Sequence, residues 1–140
     1  METDKKQIEQ LFEKAQLTCE KAFAPYSNFY VGAALLTEKG NMFTGCNVEN
    51  ASYGLTSCAE RNAIFAAVNS EGPEMKIKYI AVATKNSSSI TPCGACRQVI
   101  AEFANSKNEK TRVIFPTQNG VLACKNFDEL LPGFFQFKSE

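Results

Sequence analysis

Ile8, Leu11, Phe12, Ala15, Cys19, Ala22 and Phe23 recur at three- and four-residue steps, which predicts an amphipathic helix with one apolar stripe. Thr3 or Asp4 is placed to cap its start and Pro25 to end it. The period then shortens. Tyr30–Thr37 and Met42–Val48 read as two strands of a hairpin around Glu38-Lys39-Gly40-Asn41. Gly32, Ala33 and Ala34 leave room for a helix to pack closely on the first of them. After a polar loop from Glu49 to Thr56, a second helix is predicted over Ser57–Asn69. Ser57 and Glu60 stand at capping-box spacing there, and Gly72-Pro73 ends the helix. Ile77–Thr84 is apolar enough for a central strand. A serine-rich loop, Asn86 to Ser89, leads to a third helix, Cys93–Ala104, with Val99, Ile100 and Phe103 inward. Val113–Phe115 and Val121–Cys124 read as strands around Gln118-Asn119-Gly120. Asn126, with Glu129 in the reciprocal position, starts a short helix through Leu131.

The order α-β-β-α-β-α-β-β-α implies one sheet with helices on both faces. Its hairpins make that sheet mixed. Phe12, Phe23, Phe65 and Phe103 fall on helix stripes and read as core. Phe134, Phe135 and Phe137 follow the last helix, where little core is left to join, so they read as an exposed interface cluster.

A length of 140 residues, 44% apolar and 21% charged, fits one globular domain spanning residues 1–140. Lys+Arg and Asp+Glu are 15 each, so there is no basic excess to neutralise phosphates, and no nucleic-acid partner is expected. No apolar run approaches the ~18 residues of a membrane span. The charged start, Met1 to Gln7, lacks the apolar core of a secretory signal.

The histidine count is zero, which changes the chemistry more than any other number. Ser–His and Cys–His nucleophile pairs are excluded, because their base is imidazole. A metal site must draw on Cys, Asp or Glu. Six cysteines are present; in a reducing compartment such a set reads as metal binding, catalysis or buried small hydrophobes. Cys19 lies on the first helix's apolar stripe, and Cys46 and Cys124 fall in strands.

In Thr91-Pro92-Cys93-Gly94-Ala95-Cys96-Arg97-Gln98, Pro is at home just inside a helix start. Cys93 and Cys96 then share one face of the first turn, near the positive end of the dipole, which favours thiolate. Two thiolates at this spacing suit zinc. The same spacing serves thioredoxin-type redox chemistry, or simple packing. Ser57-Cys58-Ala59-Glu60-Arg61-Asn62 is a second helix start with a cysteine in it. If the two starts meet at one sheet edge, Cys58 is a third sulfur. Three protein ligands leave a position open, the catalytic rather than the structural pattern. Glu60 can then serve as a proton shuttle rather than a cap. Three thiolates on Zn²⁺ leave a net negative charge, which Arg61 is placed to offset; the alternative is a solvated helix residue.

Cys58-Ala59-Glu60 and Pro92-Cys93-Gly94-Ala95-Cys96 resemble the signature of zinc nucleobase deaminases. Pro25-Tyr26-Ser27-Asn28-Phe29, Val31-Gly32-Ala33-Ala34, Asn47-Val48-Glu49-Asn50-Ala51-Ser52-Tyr53 and Leu130-Leu131-Pro132 narrow this to a resemblance to the small, free-nucleoside cytidine deaminases. The resemblance implies a three-layer α/β/α sandwich with a mixed five-stranded sheet. It implies one Zn²⁺ per chain held by Cys58, Cys93 and Cys96, with Glu60 as proton carrier. It places Asn47 and Glu49 on the ribose, Phe29 at the base pocket, and the N–H groups at the Ser57–Ala59 helix start near the base carbonyl. It places Phe135 on a neighbouring subunit's pyrimidine, with Ala51 and Tyr53 lent to a neighbour's site. The implied protein is a cytoplasmic homotetramer with shared active sites, deaminating cytidine and deoxycytidine in pyrimidine salvage. A deaminase of nucleoside antibiotics, a polynucleotide deaminase, a thiol–disulfide oxidoreductase and an inert zinc module are the rival readings.

Overall fold

The computed structural model describes residues 2–137, with residues 2 and 3 traced through their backbone only. The chain runs through α1 (Glu2–Thr18), β1 (Val31–Thr37), β2 (Met42–Cys46), α2 (Ala59–Glu71), β3 (Ile77–Thr84), α3 (Gly94–Glu102), β4 (Arg112–Pro116), β5 (Leu122–Asn126) and α4 (Phe127–Leu130). Short 3₁₀ turns occupy Cys19–Lys21 and Tyr53–Leu55. The strands form one five-stranded sheet in the order β2-β1-β3-β4-β5. β3 and β4 are parallel and every other neighbouring pair is antiparallel. The sheet is therefore mixed, with Ile77–Thr84 at its centre as its apolar run requires.

Alternation along the strands divides the core into two layers. Ala34, Tyr79, Ala81, Ala83 and Ile114 face α1, meeting Leu11, Ala15 and Cys19. Ala33, Leu35, Ile80, Val82 and Val113 face the other way, onto α2, α3 and α4. The result is the three-layer α/β/α sandwich. Two glycines set how closely the outer layers approach. A Cβ on Gly32 would run into the carbonyl of Ala15 and lie 2.7 Å from the Cys19 nitrogen. A Cβ on Gly45 would lie 2.5 Å from the Ala59 carbonyl and 3.0 Å from Ala63 Cα. α1 and α2 thus rest directly on the backbones of β1 and β2.

Several local expectations fail where long-range pairing outcompetes local propensity. α1 already begins at Glu2, so Asp4 lies inside it rather than ahead of it; the Thr3 side chain lies outside those described. The apolar stripe does not carry α1 to Pro25. Phe23 instead donates its N–H to Asn47 O (3.0 Å) and accepts at its own carbonyl from Glu49 N (2.8 Å), and it is 55% exposed rather than core. Val48 leaves β2 because it exchanges backbone hydrogen bonds with Ser57 (both 2.9 Å). That pairing holds Ser57 extended, so Ser57 and Glu60 form no capping box. Cys58 is the N-cap of α2, and Ser57 Oγ donates to Asn62 Oδ1 (2.7 Å). Pro92 likewise precedes the N-cap of α3, which is Cys93. Phe65 points away from the sheet, because α2 rests on Ala63, Ile64 and Ala67. Phe134 does find core: it packs edge-on against Phe127, ring centroids 5.2 Å apart, so only Phe135 and Phe137 of the terminal cluster are strongly exposed. The α4 start forms as expected, with Asn126 N–H donating to Glu129 Oε2 at 2.8 Å.

Candidate active site

α3 follows β3 and forms the crossover to the parallel strand β4, so its N-terminus opens at the carboxyl end of the sheet's parallel pair. In open α/β sheets that end is where ligands bind. α2 also begins there. The two N-caps, Cys58 and Cys93, come together with Cys96, and the three Sγ atoms all lie within 4.8 Å of one another. Cys58 and Cys93 are 4.0 Å apart. Cys96 is buried and Cys93 exposed. Cys93 Sγ also accepts from Cys96 N–H (3.5 Å), so the α3 N-cap residue is itself one of the cluster.

Arg61 lies one turn into α2 and donates to Cys58 Sγ at 3.0 Å. The Cys58 thiol is held well below the ordinary thiol range, first by the hydrogen bond from Cys96 and then by Arg61. Cys96 is pushed up, chiefly because it donates to Cys58 and secondly by burial. Arg61 gains in basicity through the same contact with Cys58. Glu60 is 4% exposed, and burial raises its carboxyl to about 7, with the Cys58 charge adding to the rise.

Glu60, Cys58 and Cys93 line one cavity of about 300 Å³, together with Phe29, Asn47 and Ala59. The volume is at the lower end of small-molecule sites. Ala59 is the first residue of α2, so its N–H has no helical acceptor ahead of it. The Asn47 carboxamide is partly engaged: Oδ1 accepts from Val31 N (2.8 Å) and Nδ2 donates to Phe29 O (2.8 Å). One N–H and one lone pair are left for a ligand.

The other candidates lie apart from this cavity within one chain. Glu49 and Tyr53 line a neighbouring hollow with Tyr26 and Ser27. The Glu49 carboxylate accepts from Tyr26 N (3.0 Å), Ser27 N (3.2 Å) and Ser27 Oγ. The Ser27 hydroxyl is the main reason its pKa falls below the usual carboxylate range. Ala51 is exposed in the same loop. Phe135, 70% exposed, lines a separate concavity with Lys76 and Glu102. Reading the sequence assigned no role to Ser27 or Asn62. Ser27 sits in a stretch that carried the resemblance, a signal that was available. Asn62, which takes the Ser57 hydroxyl and donates to Cys46 O (2.7 Å), had none, because nothing local distinguishes it from a solvated helix residue.

Three clustered thiols over a buried carboxylate, at the carboxyl end of a parallel strand pair, define a class: metal-dependent hydrolytic sites with three protein ligands. The chain belongs to the family described as the cytidine and deoxycytidylate deaminase zinc-binding region, whose model matches residues 5–111. It is 44% identical over 128 residues to the cytidine deaminase of Sporosarcina psychrophila, covering 91% of this chain and 90% of that protein. It is 46% identical over 125 residues to that of Halalkalibacterium halodurans, covering 89% and 91% respectively. The crystal structure of cytidine deaminase from Burkholderia pseudomallei superimposes with a TM-score of 0.80 at 45% identity, covering 91% of this chain and 98% of that one. The enzyme from Mycobacterium tuberculosis gives a TM-score of 0.79 at 35% identity, covering 92% and 97%.

The donor set fits zinc. Three soft sulfur donors converge within 4.8 Å, and all six cysteines are free thiols.

Proposed function

We propose that this chain is a zinc-dependent cytidine deaminase, converting cytidine and deoxycytidine with water to uridine and deoxyuridine and releasing ammonia. The observation that carries the reading is the single cavity shared by Cys58, Cys93 and the buried Glu60. Cys58, Cys93 and Cys96 hold one zinc ion. When bound, zinc supplies Lewis acidity that makes water nucleophilic at neutral pH. Glu60 takes the proton that water releases and delivers it to the ring nitrogen N3. The water oxygen bonds to C4; Glu60 then takes that oxygen's second proton and passes it to the amine, so that the C4–N bond breaks, ammonia leaves and the C4 carbonyl forms, one carboxylate serving as base and acid in turn. Burial favours its protonated form, the form that acts as the acid. Arg61 balances the thiolate charge through its 3.0 Å contact with Cys58.

Substrate recognition is divided along the chain. Phe29 lines the base pocket and the Ala59 N–H faces the base carbonyl. Asn47 and Glu49 take the ribose hydroxyls, and the carboxylate repels a 5′-phosphate, so free nucleosides are favoured over nucleotides or strands. Phe135, Ala51 and Tyr53 complete a neighbour's site in a homotetramer; their distance from their own chain's cavity supports this. The single domain of residues 1–140 works in pyrimidine salvage in the cytoplasm, where thiol ligands stay reduced.

The test is incubation with cytidine while following the ultraviolet change to uridine, alongside metal analysis. The expected result is about one zinc per chain and turnover that a chelator abolishes and zinc restores. Absence of zinc together with a Cys93–Cys96 disulfide would overturn it in favour of thiol–disulfide chemistry.

A further inference from the structure

Phe29 reaches the cavity from a short stretch, residues 28–30, that leads into β1. The β1–β3 ladder ends at Val31 opposite Thr84. Beyond it, two asparagine side chains add to the backbone bonds from Lys85 N to Tyr30 O (3.4 Å) and from Asn47 N to Val31 O (3.3 Å). On one side Asn47 donates to Phe29 O (2.8 Å) and accepts from Val31 N (2.8 Å). On the other, Asn86 donates through Nδ2 to Asn28 O (2.7 Å) and accepts at Oδ1 from Tyr30 N (2.8 Å). The two carboxamides alternate along the chain as two flanking strands would, one serving residues 29 and 31, the other 28 and 30. Thr84 Oγ1 caps the arrangement by donating to Tyr30 O (2.7 Å) and accepting from Asn86 N (3.2 Å).

This clamp acts on a strained point. Asn28 has φ of 57°, the only non-glycine with positive φ among the described residues. That left-handed turn aims the next residue, Phe29, at the cavity. Asn86 also opens the loop that continues through Ile90 and Thr91, which line the same cavity, to the metal-binding Cys93. One exposed side chain therefore ties the aromatic residue of the pocket to the loop that supplies two more of its lining residues.

We infer that Asn86 is a positioning residue for substrate binding: its carboxamide holds the Asn28 turn and so presents Phe29 to the pyrimidine. The inference rests on the reading of Phe29 as a wall of the base pocket. Without the clamp the 28–30 backbone gains freedom that substrate must remove on binding, so affinity falls while the proton transfers at Glu60 are untouched.

The experiment is a double-mutant cycle with Asn86→Ala, Phe29→Ala and the pair, measuring KM and kcat for cytidine, zinc content and thermal midpoint. Asn86→Ala is expected to raise KM roughly ten-fold, the effect of losing one to two net hydrogen bonds. Its kcat should stay within about three-fold, with zinc unchanged. The pair should be no worse than Phe29→Ala alone, because both changes remove one function. A lowered thermal midpoint with unchanged KM overturns the inference, since Asn86 would then only stabilise the loop. Strictly additive KM effects overturn it too. If Phe29→Ala leaves KM unchanged, the base-pocket reading itself fails; if Phe29→Ala raises KM and Asn86→Ala does not, only the Asn86 inference fails.

Discussion

Glu60 is the second residue of α2, a position where a carboxylate ordinarily faces solvent and offsets the helix dipole. Here the helix start is turned inward, leaving Glu60 4% exposed beside three thiols. Keeping a charged carboxylate there is unfavourable, which is why its carboxyl rises to about 7. Glu60→Gln preserves shape and polarity but can neither accept nor return a proton. The variant should keep its zinc and its fold and lose about 10²–10⁴-fold in kcat. Metal analysis and the ultraviolet assay on the same sample check this. Activity within about ten-fold of the parent would return Glu60 to a structural role. Zero histidines made the cysteines and Glu60 candidates in the sequence, and the resemblance to cytidine deaminases, rather than spacing, is what gave them roles. The burial of Glu60 was not, because its local spacing to Ser57 is that of a surface capping box.

At the scale of elements, two helix–sheet contacts depend on the absence of a side chain. Gly32→Ala forces a methyl into the backbone of α1, and Gly45→Ala forces one into α2 at Ala59, the residue beside Cys58. Each should destabilise by about 1–3 kcal/mol in denaturant unfolding. Gly45→Ala should also lower zinc occupancy, because it displaces a helix start that carries a ligand, whereas Gly32→Ala should not. A third contact fastens the β1–β2 hairpin to the end of α2. Glu71 accepts from Asn41 Nδ2 (2.8 Å) and Thr37 Oγ1 (2.7 Å), and those two bonds, Asn41 first, lower its pKa. A lowered folded-state pKa means stability present above the unfolded carboxylate value and lost as pH falls through the folded one. Glu71→Gln should therefore be less stable than the parent at neutral pH, with the gap closing below about pH 4. Unfolding curves at several pH values give the comparison; a gap that persists in acid would show that charge plays no part.

For the molecule as a whole, the accessible surface is 8237 Å². A compact monomer of 15.4 kDa is expected to expose about 7,200 Å². Part of the difference is aromatic: Tyr53 is 79% exposed, Phe135 70%, Phe137 85%, Phe23 55% and Phe65 50%. Burial of such rings is worth roughly 1.5–3 kcal/mol each. Sedimentation of the parent should give a four-chain particle. Phe137→Ala should weaken assembly while leaving unfolding of the individual chain nearly unchanged, since that ring touches little of its own core. Phe135→Ala should mainly raise KM. A fully active monomer would rule out shared sites.

The sequence by itself determined the element types and their order, the mixed sheet and the set of thiols and carboxylates available for chemistry. Periodicity, turn residues and side-chain chemistry are local properties, readable at short range. Only the tertiary structure decided how those pieces meet. It showed that two helix starts converge so that Cys58 joins Cys93 and Cys96. It showed that pairing of Val48 with Ser57 makes Cys58 rather than Ser57 the N-cap, and pairing of Phe23 with residues 47–49 draws Phe23 out of α1. It sorted Phe134 into the core and left Phe135 outside. It placed Asn86, a residue in an unremarkable serine-rich loop, on the backbone of residues 28–30. Each of these depends on partners some 7 to 58 residues away in the chain, and contacts at that separation leave no periodic trace in either segment.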